Sequence, residues 1–103
     1  IKLTDEKTNK DYYMEWSSIC DAPLTFGCSL DEFKKYYKDE YGRSGMEELP
    51  RMLERVEQTG SSSRYPWGNV QSIIESNRAG KNEKRLTKEQ ILEKYCRKRI
   101  GAK

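Results

Sequence analysis

A basic segment, residues 77–85, contains the residue types that bind phosphate. It contains two asparagines, of which Asn77 is the candidate ligand, two arginines, two lysines and a glycine that can leave backbone N–H groups exposed. Arginine holds phosphate oxygens through paired hydrogen bonds, and neighbouring N–H groups form anion-binding nests. The candidate ligands in this segment are Asn77, Arg78, Lys81, Lys84 and Arg85. The same composition would also suit a solvated loop that binds nothing, so both interpretations stay open.

A second candidate group lies upstream, in the sequence Arg64-Tyr65-Pro66-Trp67. Arg64 brings a guanidinium, and Tyr65 and Trp67 bring aromatic faces on which a nucleotide base or a partner could stack. One predicted helix, roughly 12 Å long at about 1.5 Å per residue, separates this group from the basic segment. A pocket that used both groups for one small ligand would therefore need a second protomer. Trp67 could equally serve as a core anchor.

Positive charge is concentrated in the last quarter of the chain. Residues 1–77 carry ten Lys and Arg against fourteen Asp and Glu, a net charge of −4. Residues 78–103 carry ten against three, a net charge of +7. The basic residues Arg97, Lys98 and Arg99 extend this charge to the end of the last predicted helix. Such a surface attracts polyanions over long range, and phosphate contacts make the binding depend strongly on salt.

The composition also excludes or disfavours several kinds of chemistry. The chain has no histidine, which excludes His-based catalysis and His-ligated metal. Its three cysteines form no CxxC pair, and Cys96, beside Arg97, is the candidate for a reactive thiol. We therefore predict a binding protein rather than an enzyme, with no catalytic residue, metal or cofactor. Sparse cysteines and the lack of a long apolar run predict a cytoplasmic protein without a membrane partner.

The elements that must position these residues indicate an α+β fold in a single small domain. An N-terminal two-stranded β-hairpin is expected to pack on three or four short helices. The predicted segments are the hairpin over 1–18, an apolar loop over 19–28, and helices over about 30–41, 49–58, 69–78 and 88–99. Capping boxes begin the first and last helices, at Ser29 with Glu32 and at Thr87 with Gln90.

Hydrophobic spacing predicts a thin core. Alternation in the second strand turns Met14 and its even-numbered neighbours inward and leaves Tyr13 facing water. The apolar loop is expected to tuck against the body, Gly42 to end the first helix, and Pro50 to begin the second. The predicted core consists of Trp16, Phe33, Tyr37, Leu53, Val56, Ile73, Ile74, Ile91, Leu92 and Tyr95. Because so small a core stabilises a fold weakly, homo-oligomerisation through the hairpin edge is expected to add burial.

Several sequence runs resemble a group of small phage and prophage accessory proteins. They are Glu15-Trp16-Ser17, Asp-Ala-Pro-Leu-Thr-Phe-Gly at 21–27, Leu-Asp-Glu-Phe at 30–33, Asn-Arg-Ala-Gly at 77–80 and Leu-Thr-Lys-Glu-Gln-Ile at 86–91. The resemblance covers most of the chain and implies a counter-defence binding protein in the host cytoplasm. The leading hypothesis is an anti-CRISPR-like inhibitor whose basic C-terminal surface blocks a nuclease or its guide RNA.

Two other functions remain open at this point. The first is a sponge that sequesters a cyclic nucleotide or an ADP-ribose-type immune signal. The second is a structural or virion accessory protein. The expected partner is accordingly a host defence protein or its nucleic acid, or else a small nucleotide signal.

Overall fold

The chain begins with a β-hairpin in the computed structural model, which describes residues 1–65 and 68–97. The strands are β1 (Lys2–Asp5), β2 (Lys10–Tyr13), β3 (Trp16–Ser17) and β4 (Ala22–Pro23). Strand β1 pairs antiparallel with β2, and β3 pairs antiparallel with β4 in a second small sheet. Asn9 takes a φ of 60° in the first turn, a left-handed conformation that asparagine tolerates. The predicted hairpin over 1–18 is therefore shorter in the structure, because residues 16–17 pair with the following loop.

Helix α1 (Leu30–Thr59) is long and is interrupted at Gly42, where φ is 65° and ψ is −150°. The Tyr37 hydroxyl donates a hydrogen bond to Met52 Sδ at 3.4 Å. Fifteen residues of straight helix would separate these two residues by about 22 Å. The break at Gly42 therefore lays a second arm, residues 43–59, alongside the first arm, residues 30–41.

The sequence predicts separate helices over 30–41 and 49–58. The structure has instead one helix, α1, whose two arms meet at Gly42. Gly42 does interrupt the helix as expected, but the second arm resumes immediately after it and continues through Pro50. The second arm buries Gly45 and Leu49, and this burial outweighs the loss of one backbone donor at the proline. Pro50 itself is exposed.

Three shorter helical segments complete the described chain. Helix α2 (Val70–Glu75) is capped by Asn69, whose Oδ1 accepts from the Ser72 N–H at 2.9 Å. A 3₁₀ turn follows at Lys81–Glu83, and helix α3 (Lys88–Ile91) continues as a π-helix over Leu92–Arg97. Helices are predicted over 69–78 and 88–99. In the structure α2 ends earlier, at Glu75, and the last helix changes from α-helical to π-helical after Ile91. Residues 98 and 99 lie outside the described residues.

Two hydrophobic clusters lie on either side of β2. The aliphatic core contains Leu3, Met14, Ile91, Leu92 and Cys96. The aromatic core contains Tyr13, Phe33, Tyr37, Leu49 and Val56. The prediction that Tyr13 faces water is wrong, because α1 covers that face of the strand while α3 covers the face of Met14. The predicted α+β fold in one small domain, with an N-terminal hairpin and helices, is confirmed.

Half of the predicted core residues are buried, and most of the others pack against the two clusters. Phe33, Tyr37, Val56, Ile91 and Leu92 are buried. Trp16, Leu53, Ile74 and Tyr95 are partly buried against them, and Ile73 is also partly buried. Within the described ranges, no helix has the length and apolar character needed to cross a membrane.

The apolar loop tucks against the body only at its end, where Gly27 is buried and Cys28 packs against the aromatic core, and its other large apolar side chains are exposed. Ile19 is 92% exposed, Leu24 is 60% exposed and Phe26 is 50% exposed. The pairing of β3 with β4 turns residues 18–21 into an outward-pointing tip. The Leu24 N–H also donates to the Glu15 carbonyl oxygen at 2.8 Å, which holds the returning strand beside the outgoing one. These apolar side chains therefore lie on the surface.

Candidate functional site

The basic loop, residues 77–86, is closed by the side chain of Asn77, which is only 2% exposed. Its Nδ2 donates to the carbonyl oxygens of Ile74 and, at 2.7 Å, of Leu86. Its Oδ1 accepts from the N–H groups of Ala79 at 3.2 Å and Leu86 at 2.8 Å. A primary amide can make four such bonds, so Asn77 has no capacity left for a ligand. The expected phosphate ligand is instead the anchor of the loop.

The shape of the basic loop also depends on Gly80. Its N–H donates to the Lys84 carbonyl oxygen at 2.8 Å, and its own carbonyl oxygen accepts from the Glu83 N–H at 3.1 Å. A Cβ at this glycine would lie 2.7 Å from the Lys84 oxygen and 2.9 Å from the Leu86 side chain. No larger residue fits there without moving the loop. The close approach of Lys84 and Leu86 to Gly80 is therefore part of the loop's closed shape.

The closed loop presents four predicted ligands to solvent, and all four are exposed: Arg78, Lys81, Lys84 and Arg85. Arg78 Nε lies 3.6 Å from the Asp21 carboxylate, and the Arg78 N–H donates to the Asp21 carbonyl oxygen at 2.7 Å. In the part of the chain that the structure describes, no carboxylate lies within 4.0 Å of the other three cations. These three side chains keep their charge available to an external anion.

Lys94, in the π-helical continuation of α3, also contacts the basic loop and is not among the residues predicted for the site. Its Nζ donates to the Ala79 carbonyl oxygen at 3.3 Å and lies 5.3 Å from the centroid of the Tyr95 ring. The Tyr95 and Phe26 ring centroids are 6.2 Å apart. The Gly27 N–H donates to the Tyr95 carbonyl oxygen at 2.8 Å, which fixes Phe26 beside α3. The half-exposed Phe26 ring is therefore linked to the basic loop through Tyr95 and Lys94.

Neither Lys94 nor Phe26 carries a motif that would mark it as part of this site. Tyr95 was placed on the apolar side of the last helix, and Phe26 lay in a loop expected to be covered. Phe26 and Tyr95 are far apart in sequence, so only their tertiary contact brings the aromatic pair to the loop. The one available signal was the unusual apolar content of residues 20–28.

Arg97 belongs to a network of carboxylates and not to the exposed basic surface. Its Nε and Nη2 donate to the two oxygens of Asp5, both at 2.9 Å, and its Nη1 donates to Glu93 at 3.0 Å and also to Glu89. These hydrogen bonds from Arg97 lower the pKa of Asp5 to about 2, although Asp5 is only 1% exposed. The same guanidinium lowers the pKa of Glu89.

The sequence predicts that Arg97 lies on a free binding surface with its neighbours. This prediction is wrong for Arg97, because its guanidinium is paired with three carboxylates. Arg97 joins β1 to α3, and its side chain is largely covered. The other two residues of that predicted patch, Lys98 and Arg99, lie outside the described residues. Cys96, the candidate reactive thiol, is buried beside Arg97, and burial raises its pKa to about 12. That thiol is therefore protonated at neutral pH.

The second predicted group lies at the other end of α2. Arg64 and Tyr65 are exposed, and Trp67 lies outside the described residues. Tyr65 borders a cavity of about 670 Å³ whose walls include the carboxylate residues Glu15 and Asp21. No lysine or arginine among the described residues lines this cavity. Its walls therefore offer a phosphate no lysine or arginine among the described residues, and α2 separates Tyr65 from the basic loop.

Glu15 is held in that cavity by two tyrosines of α1. The Tyr36 hydroxyl donates to Glu15 Oε1 at 2.9 Å, and the Tyr41 hydroxyl donates to Oε2. Hydrogen bonding to this carboxylate, followed by burial, raises the pKa of Tyr41 to about 12. Both phenols therefore stay protonated and hold the carboxylate in place. This arrangement joins α1 to the segment after β2 and was not predicted from the sequence.

A comparison of the chain with protein families, with curated proteins and with solved structures finds no match. The geometry of the basic loop and its neighbours is therefore the basis for assigning a function.

Proposed function

We propose that this chain is a binding protein that engages the phosphate backbone of a nucleic acid through its basic loop. The observation that carries the proposal is the anchored loop itself, in which Lys81, Lys84 and Arg85 project without carboxylate partners among the described residues. Lys94 adds a fourth such charge beside them. The loop is held by Asn77 and Gly80 before any ligand arrives, so binding would order only the side chains.

Charge complementarity favours a nucleic acid over the nucleic-acid-binding groove of a nuclease. Such a groove is itself basic because it holds phosphates, so it would repel this loop. Combined with the resemblance to phage accessory proteins, the proposal favours guide RNA as the target of an anti-CRISPR-like inhibitor. The protein would then act by covering phosphates in the host cytoplasm, without catalysis.

The nucleotide sponge receives less support from the geometry. Its proposed phosphate ligand Asn77 already makes four internal hydrogen bonds, and the cavity beside Tyr65 has carboxylate walls. A structural or virion accessory role makes no use of the unpaired cations. Both functions predict that the chain does not bind nucleic acid, which is a measurable difference.

The test is fluorescence anisotropy with labelled RNA and DNA oligonucleotides at 50 and 200 mM salt. The variant Lys81→Glu/Lys84→Glu/Arg85→Glu should weaken binding at least about tenfold at the lower salt. It should also reduce the slope of log Kd against log salt by about two, because three phosphate contacts are lost. Exposed positions keep the fold intact, which circular dichroism would verify.

The matched control reverses three exposed lysines on the first arm of α1, with the variant Lys34→Glu/Lys35→Glu/Lys38→Glu. It changes net charge by the same amount but leaves the basic loop unchanged. We expect its affinity to stay within about threefold of the parent chain. Equal losses in both variants, or no nucleic-acid binding by the parent chain, would contradict the proposal.

A further inference from the structure

An exposed aromatic ring, Phe26, is linked to the basic loop by a chain of contacts. Starting from the loop, Lys94 Nζ lies 3.3 Å from the Ala79 carbonyl oxygen and 5.3 Å from the Tyr95 ring centroid. The Tyr95 and Phe26 centroids are then 6.2 Å apart. The Phe26 side chain is half exposed, whereas Tyr95 is partly buried against the aliphatic core. Phe26 is therefore the outer ring, and Tyr95 supports it from within.

The strand pair β3–β4 is held against the same loop on its other side. Arg78 binds Asp21 through its backbone N–H at 2.7 Å and its side chain at 3.6 Å. Leu24 is exposed on the strand side of Phe26. The segment that carries Phe26 is thus connected to the basic loop at two points, through Lys94 with Tyr95 and through Arg78 with Asp21. Cations and an exposed apolar ring connected in this way suit a ligand with both charged and flat apolar parts.

We infer that the nucleic acid bound by the basic loop is single-stranded and that one of its unpaired bases stacks on Phe26. The inference rests on the proposed function. In a duplex, the faces of the bases are covered by their neighbours, so a ring beside the phosphate-binding groups gains contact only with a base that is unstacked. Nonspecific single-strand binders combine a positive groove with aromatic stacking in the same way.

Lys94 links the two parts of this surface. Its ammonium lies between the loop and the aromatic pair, where it can neutralise the phosphate next to the stacked base while it remains over Tyr95. Tyr95 is a positioning residue because it holds both Phe26 and Lys94. Stacking is insensitive to base identity, so the expected ligand is a single strand without a strict sequence requirement.

The test compares affinity for a single-stranded oligonucleotide and for the duplex of the same sequence. Phe26→Ala should weaken single-strand binding about tenfold and leave duplex binding within about twofold. Phe26→Trp should retain single-strand affinity, since its ring also stacks. Leu24→Ala is the matched control, because it removes an equally exposed apolar side chain from the same segment and should change neither affinity.

Salt separates the stacking contribution from the charge contribution. The fold-loss caused by Phe26→Ala should be the same at 50 and 200 mM salt, whereas the loss caused by reversing the loop charges should shrink. Thermal unfolding of each variant shows whether the fold is retained.

The possible outcomes distinguish the two proposals. If the parent chain binds neither single strand nor duplex, the proposed function itself fails. If it binds both equally, or if Phe26→Ala weakens both equally, the nucleic-acid interface stands and the single-strand inference is overturned. If Leu24→Ala weakens single-strand binding as much as Phe26→Ala does, general apolar contact explains the affinity better than stacking does. The inference is then likewise overturned.

Discussion

Two groups of cations in the last quarter of the chain have opposite surroundings. Arg97 contacts three carboxylates, of which Asp5 is almost completely buried. Lys81 and Arg85 contact none within the described residues. Each of these side chains carries one positive charge, and all of them lie in the last quarter of the chain. The number of carboxylates that the fold brings to each cation decides whether it stabilises the protein or stays available to a partner.

Mutations of the two groups of cations should therefore have different consequences. Removing a cation from the carboxylate network leaves a buried charge without a partner, which strongly destabilises a fold. Removing one from the exposed loop leaves nothing unpaired, so stability should hardly change while binding changes. Stability and affinity measurements on the same variants therefore test the comparison directly.

The largest expected effect on stability comes from Arg97→Ala. It would remove the two hydrogen bonds that Arg97 donates to the buried Asp5 carboxylate, leaving that of the Lys7 N–H, and would also free Glu89 and Glu93 to repel one another. We expect the melting temperature to fall by about 15 °C. The control Arg85→Ala should lower it by less than about 3 °C. A similar melting temperature for both variants would remove the distinction between the two groups.

The next effect is expected from Asn77→Ala, which connects stability to the proposed interface. The change leaves buried backbone groups of Ala79 and Leu86 without partners, so we expect the melting temperature to fall by about 10 °C. Nucleic-acid affinity should also fall, because the loop loses its closed shape. Gln71→Ala, at an exposed position on α2, should change neither quantity. Full affinity in a folded Asn77→Ala variant would show that the loop shape is irrelevant to binding.

A smaller effect is expected from acid. The pKa of Asp5 is about 2 in the folded chain because Arg97 stabilises its charged form, and it lies near 4 in the unfolded chain. The unfolded state therefore takes up a proton first as the pH falls. The resulting stability is fully present above about pH 5 and is lost as the pH falls from about 4 to about 2.

The measurement for the acid effect is the melting temperature between pH 6 and pH 2. The variant Asp5→Asn should have a lower melting temperature than the parent chain at pH 6. Between pH 6 and pH 2 its melting temperature should fall by a few degrees less, since its amide does not titrate. The loop variant Lys81→Glu/Lys84→Glu/Arg85→Glu should keep an acid dependence close to that of the parent chain between pH 4 and pH 2. Parallel curves for Asp5→Asn and the parent chain would mean that the network contributes no pH dependence.

Homo-oligomerisation stays a prediction. It is checked by analytical ultracentrifugation at micromolar concentration, where a strict monomer would rule it out.

Features that depend on residues within a few positions could be predicted from the sequence. Both capping boxes form as expected: the Ser29 N–H donates to Glu32 at 3.0 Å, and the Thr87 N–H donates to Gln90 at 2.8 Å. The interruption at Gly42 was also anticipated. Each of these features is encoded locally, since a cap or a left-handed turn needs only its immediate neighbours.

The sequence by itself thus determined the α+β class, the capped starts of the first and last helices and a positive last quarter with an exposed loop. Only the tertiary structure decided which of those positive charges stay available. The partner of Arg97 on β1 lies 92 positions away, and the amide of Asn77 reaches nine positions forward to Leu86. No local pattern encodes such contacts, because they exist only after distant segments pack. The same packing buried Tyr13, continued α1 through Pro50 and placed Phe26 beside the basic loop.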